Sequence, residues 1–254
     1  MTAEATLTLR APLRHRVDGG SVAWGALRGL DAAAIGSQEV WVEGEGRTTL
    51  GDLFEVRGAP APRIRLVGDL ASMDGIGAGL AAGELVVEGD AGWYLGLGMS
   101  GGVIEVRGSA GPHAGGAEPG ARRGMTGGEI IIRGSAGPQA GAGLRRGLLV
   151  IQADAGEGAG QAMLAGSIVV FGSLGPDPGI WSKRGSIVAF GAHAPPAPYR
   201  YACTYHPPHL PVTLLYLRAR HRVPVSDEQV AGLYRRYSGD LAELGAGEIL
   251  AWIP

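Results

Sequence analysis

The sequence predicts an all-β fold, a right-handed parallel β-helix of six to seven turns with a cap before it and an extension after it. Three observations carry that prediction. Glycine is the compositional outlier, at 46 of 254 residues; it lacks the triplet period of collagen and is interleaved with Val/Ile/Leu runs that argue against disorder. Between Met73 and Gly191, six segments align on a leading glycine: Gly83-ELVVEG, Gly102-VIEVRG, Gly128-EIIIRG, Gly147-LLVIQA, Gly166-SIVVFG and Gly185-SIVAFG. Their starts are 19, 26, 19, 19 and 19 residues apart, the long step carrying an insertion in the stretch PHAGGAEPGARRGM. Within every unit, finally, the second and fourth positions after the glycine are apolar, from Leu85/Val87 and Ile104/Val106 through to Ile187/Ala189, while the first and fifth vary.

Strict alternation with β-branched enrichment specifies a strand with one buried face. No 3.6-residue period lies between the strands, which excludes crossover helices and a doubly wound sheet. A strand every 19 residues is satisfied by a coil in which each strand stacks on its equivalent one turn earlier. A second glycine column (Gly77, Gly96, Gly141, Gly160, Gly179) marks corners, where coils about 4.8 Å apart leave little room for a Cβ. The hairpins of a β-sandwich would not keep such a period.

The flanks follow in chain order. Residues 1–62 read as an N-terminal cap, with Ala5-TLTLR and Gly51-DLFEVRG as strands and Gly29-LDAAAIG as a short helical or loop piece. Residues 63–191 form the coil, opening with a less regular turn around Arg63-IRLVGD. Residues 192–254 form a C-terminal extension. Its proline-rich start, HAPPAPYRYACTYHPPHLP, is expected to run extended over a surface. Val212-TLLYLRAR reads as a further strand. Ser226-DEQ is a capping box opening an amphipathic helix, with Val230, Leu233, Tyr234 and Tyr237 on one face.

A net charge of −2 argues against nucleic acid or an anionic membrane as partner. No signal-peptide core or bilayer-length apolar run is present, and the single cysteine, Cys203, fits a reducing compartment, so a cytoplasmic location is expected. Cys203, His206 and His209 have metal-like spacing, but the intervening prolines suit a docking arm and no fourth ligand lies nearby. His113 and His193 stand alone in loops. Gly77-AGLAAG and Gly156-EGAG resemble nucleotide-binding loops but fall on the corner columns and lead into no helix. No catalytic, cofactor-binding or metal-binding residue is assigned. Glu84, Glu88, Glu105 and Glu129 sit on outward positions, on a flat face with no obvious pocket. Down the outward columns, Glu88, Arg107, Arg133 and Gln152 give way to Phe171 and Phe190, beside Val150, Val169 and Val188. Val169, Phe171, Val188 and Phe190 are therefore expected to bury against another subunit or against residues 195–237.

Units such as Gly92-WYLGLGM-SGG-VIEVRG-SAG and Gly156-EGAGQAM-LAG-SIVVFG resemble the glycine-repeat domain shared by glutamate synthase large subunits and the C component of formylmethanofuran dehydrogenase. Gly51-DLFEVRG and the tail Arg236-YSGDLAELGAGEIL are similar to the formylmethanofuran dehydrogenase branch. The resemblance implies a β-helical partner in a complex that handles formyl groups on methanofuran or methylofuran. In one version that complex is a molybdenum or tungsten dehydrogenase. In the other, the formyltransferase/hydrolase complex, it converts formyl-tetrahydromethanopterin to formate. The resemblance further implies partners: an amidohydrolase-like subunit with metal, a formyltransferase subunit and one more. The chain itself would bind no cofactor and lack its own active site. The hydrolytic version is the expected one; a component of a true dehydrogenase or a detached glutamate-synthase-type domain are the alternatives.

Overall fold

A computed structural model describes residues 4–58, 61–118 and 120–254. Residues 1–3, 59 and 60 of the expected cap and junction, and residue 119 of the insertion, lie outside the described residues. The N-terminal region holds β1 (Glu4–Leu9), β2 (Val17–Asp18), α1 (Trp24–Leu27), α2 (Ala32–Gly36), β3 (Glu39–Val42), β4 (Gly46–Thr49), α3 (Leu50–Leu53) and β5 (Phe54–Arg57). The repeats supply β6 (Arg63–Val67), β7 (Met73–Asp74), β8 (Glu84–Glu88), β9 (Ser100–Val106), β10 (Gly127–Ile132), β11 (Leu148–Ile151), β12 (Ser167–Val170) and β13 (Arg184–Ala189). The C-terminal region adds β14 (Arg200–Tyr205), α4 (Leu210–His221), α5 (Asp227–Ala231), β15 (Leu233–Gly239) and β16 (Ala246–Ile253).

Most of these strands form one twelve-stranded sheet, ordered β14-β15-β16-β13-β12-β11-β10-β9-β8-β6-β1-β5. From β1 to β16 every neighbouring pair is parallel, and antiparallel strands close both edges. The register follows the repeat: Leu85, Ile104, Ile130, Leu149, Ile168 and Ile187 stack in one ladder. The ladder also continues beyond the repeat, to Ala5 and Ile64 on one side and Ile249 on the other. A second line of parallel bridges joins Leu70, Ala91, Ala110, Ala136, Ala155 and Leu174, so each unit meets its neighbour at its loops as well as its strand. The small strands β4, β3, β2 and β7 form a separate four-stranded sheet.

Two apolar clusters lie on opposite faces of the large sheet. The main one gathers the second- and fourth-position ladders, the bridge alanines, Met99, Met125 and Met163, and from the N-terminal region Trp24, Leu50 and Phe54. Trp24 is anchored there by its indole N–H, which donates to the Gly19 carbonyl at 2.9 Å. The other cluster packs Ile131, Val150, Val169 and Val188 against Leu210, Leu214 and Leu217 of α4, together with Val223, Val225, Tyr234 and Leu250. Two-sided burial of parallel strands explains why the third positions of β10–β13 are as aliphatic as the second and fourth, whereas β9, outside that cluster, carries Glu105 there. Among the described residues no helix is long and apolar enough to cross a membrane.

Four local expectations are corrected. Residues 212–220 form helix, not strand: Pro211 sits in the first turn, and Leu210, Leu214, Leu217 and His221 are buried at helical spacing, so burial of that face overrides the β-branched Val212 and Thr213. The capping box of Ser226 and Gln229 forms, but its helix stops at Ala231 because Gly232 is extended. Leu233–Gly239 is instead a strand between β14 and β16, and its Tyr234 hydroxyl donates to the Gln229 carbonyl. Within 51–57 the first residues are a helical turn, capped reciprocally by Thr49 and Asp52, and only Phe54–Arg57 is strand. Finally, the outward face is not flat throughout; it carries a cleft.

Candidate functional site

Alternation on β6 places Ile64 and Leu66 inward and therefore Arg63 and Arg65 outward. The same logic sets Glu84, Val86 and Glu105 on the outer face of β8 and β9, while Arg107 and Arg133 follow the ends of β9 and β10. The C-terminal end of α4 overhangs this polar area with Arg220 and His221, and Arg222 continues it. Together they enclose a cleft of about 560 Å³ with six arginines in its wall: Arg63, Arg65, Arg107, Arg133, Arg220 and Arg222.

Within the cleft, charges run as a chain across the strands. Arg65 donates to both oxygens of Glu4, at 2.6 and 3.0 Å, and also contacts Glu88. The Arg65 hydrogen bond holds the Glu4 carboxyl below its ordinary pKa. Arg107 lies 2.9 Å from Glu105 and 3.8 Å from Glu88, and Arg133 Nε donates to Glu105 at 3.0 Å. Arg63 is 3.5 Å from Glu4 and 3.7 Å from Glu84, and Arg220 is 2.9 Å from Glu84. Thus five arginines share four carboxylates, and Arg222 has no ion pair among the described residues. The buried Arg63 Nε is left without a hydrogen-bond acceptor.

At the cleft's edge, α4 is pinned to β10. Tyr216 donates to Glu129 at 2.7 Å, and His221 Nε2 lies 2.6 Å from the other Glu129 oxygen. Arg133 also donates to the His221 carbonyl. The hydrogen bond with His221 lowers the Glu129 pKa, with a further hydrogen bond from Tyr216, against opposition from burial. Burial, then the bond to Glu129, pushes the Tyr216 hydroxyl up to about 12.

Beside this polar half lies the apolar stripe. Val169 and Val188 are fully or almost fully buried, and Phe171 and Phe190 are partly buried against the same cluster. The two phenyl rings stack at 4.7 Å, with Phe190 edge-on to Tyr234 and Trp252. Leu210, Leu214, Leu217, Val223, Val225, Tyr234 and Leu250 of the C-terminal region pack against this stripe. Cys203 is exposed on β14, His206 contacts the Gly232 carbonyl through Nδ1, and His209 precedes α4. Among the described residues no group of three or more His, Cys, Asp or Glu is placed to hold a metal ion. His113 stacks on Tyr94 at 5.0 Å, and burial lowers its pKa; His193 Nδ1 contacts the Gly191 carbonyl. The cleft went unseen in the sequence because Arg220 and Arg222 reach it only through α4. The alternating Arg63 and Arg65 on an outward face were the available signal.

The arrangement offers guanidinium groups for carboxylate or phosphate oxygens. No protein-family model matches the sequence. A relative, the C component of the formyltransferase/hydrolase complex Fhc from Methylorubrum extorquens, is 38% identical over 88 residues. That match covers 35% of this chain and 33% of the relative, about a third of its length. A chain in the crystal structure of the formyltransferase/hydrolase complex (FhcABCD) from Methylorubrum extorquens with methylofuran matches at a TM-score of 0.79 and 35% identity. That match covers 98% of this chain and 100% of the other.

Proposed function

Because the chain belongs to the family of the C component of the formyltransferase/hydrolase complex, we propose that it is a non-catalytic structural subunit of such a complex in methylofuran-linked one-carbon metabolism. The complex takes formyl-tetrahydromethanopterin to formate, with methylofuran as the intermediate formyl carrier. The single observation that carries this reading is the match over essentially the whole of both chains. The chain holds its partners in place: an amidohydrolase-like subunit that contains the metal, a formyltransferase subunit and one further subunit, all in the cytoplasm. Residues 63–191 act as a right-handed parallel β-helix, with 1–62 as its cap and 192–254 as its extension. The parallel ladder and the second line of bridges support that reading, since a coil stacked this way is a stiff rod along which partners can be ordered.

Co-expression with and without the other subunits tests it. A tagged copy is expected to purify with the amidohydrolase-like and formyltransferase subunits and to release formate from formyl-tetrahydromethanopterin only in their company. Formate release by the isolated chain would overturn the structural role.

A further inference from the structure

We infer that the arginine-lined cleft between β6–β10 and the end of α4 is the docking site for an acidic, extended segment of another subunit of the same complex. The inference rests on the proposed membership of that complex and adds the place and chemistry of one contact. The cleft is set apart from the rest of the molecule by its charge. The chain as a whole carries a net charge of −2, yet six arginines gather here around four carboxylates, with a fifth carboxylate, Glu129, at the edge and engaged by Tyr216 and His221. A local excess of cations is costly to hold together and is relieved when carboxylates arrive from outside. One guanidinium is already unmatched: Arg222 lines the cleft, is exposed, and has no ion pair among the described residues.

The layout of the charges selects an extended segment over a compact anion. From β6 through β8 and β9 to β10 the cleft spans three strand spacings, about 14 Å. Its guanidinium groups are strung along that line, with Glu84, Glu88 and Glu105 between them, and so do not converge on one point. A small anion would meet an interposed carboxylate for each pair of arginines it approached. An extended peptide presents alternate side chains about 7 Å apart along its length, so it can offer several carboxylates along the line of arginines where a compact anion offers its charge at one point. Arginine's planar fork suits such carboxylate contacts and keeps its charge at any working pH.

The test uses the assembled complex, comparing the wild-type chain with a variant carrying Arg107→Glu and Arg222→Glu. Arg222 is exposed and Arg107 about half exposed, so the fold is expected to survive, and the thermal unfolding of the isolated variant checks that it does. The expected result is selective loss of one subunit, with affinity weakened at least about tenfold and less sensitive to added salt than in the wild type. In parallel, a benzoylphenylalanine photo-crosslinker at Val103, on the cleft floor, is expected to capture from that subunit a peptide with several Asp or Glu residues. Wild-type affinity in a folded double variant, or crosslinks confined to the chain itself or to a peptide without acidic residues, would overturn the inference and leave the structural role intact. A wild-type chain that assembles with none of the other subunits overturns both. Replacing the two arginines by lysine is expected to keep the partner bound with intermediate affinity, which separates charge complementarity from a steric defect.

Discussion

Leu214→Ala probes whether α4 covers the apolar stripe in solution. Leu214 is fully buried on α4, between Leu210 and Leu217 in a cluster with Val150, Val169 and Val188. Truncation removes three carbons, worth about 2.4 kcal/mol of transfer free energy at roughly 0.8 kcal/mol each. The residual cavity raises the loss to about 3 kcal/mol. For a chain of this size that lowers Tm by roughly 6–12 °C. The neighbouring Leu215→Ala is the control: Leu215 is 46% exposed, and its loss is expected to stay within about 0.5 kcal/mol. Denaturant unfolding of the isolated chain gives both numbers, and amide exchange locates the damage in α4 before the β8–β13 ladder, whose hydrogen bonds do not depend on α4. A Leu214→Ala cost below about 0.5 kcal/mol, or one equal to that of Leu215→Ala, would refute the reasoning and leave the stripe open to another subunit.

Other outcomes follow from the Glu129 contacts and from two glycines of the repeat with positive φ. Glu129 has a pKa depressed below its ordinary 4.5 by His221 and Tyr216, so its contribution is complete above about pH 4.5 and lost as pH falls through its folded value. Glu129→Gln is therefore expected to cost roughly 1–2 kcal/mol near neutral pH, and the gap from wild type should close in acid; a pH-independent gap in denaturant midpoints would contradict this. Gly102 has φ of +78°, and a Cβ there would sit 2.8 Å from the Gly83 carbonyl oxygen. Gly102→Ala should cost about 2 kcal/mol or more, whereas Gly98→Ala, with φ of +62° and open space around its Cβ, should cost about 1 kcal/mol by the same unfolding assay.

The 19-residue period, the paired apolar positions and the corner glycines determined the parallel register of β8–β13 without any structure, because each is a local pattern repeated until only one stacking satisfies all copies. The aliphatic third positions Val150, Val169 and Val188 likewise disclosed a second buried face. What covers that face was a tertiary decision. Val212 and Thr213 favour strand locally, and Leu233, Tyr234 and Tyr237 fall at helical spacing, yet packing made the first segment helix and the second strand. One element had to present Leu210, Leu214 and Leu217 to the sheet, and another had to extend its edge beside β16. Tertiary structure alone also made β1 and β16 turns of the same ladder, pairing residues 4–8 with 63–67 and residues 184–189 with 246–251. The cleft belongs with them: sequence alternation aimed Arg63 and Arg65 outward, and only the return of α4 across the sheet set Arg220 and Arg222 opposite them. Charges that lie more than 130 residues apart carry no pattern along the chain, and their proximity is a property of the packed molecule.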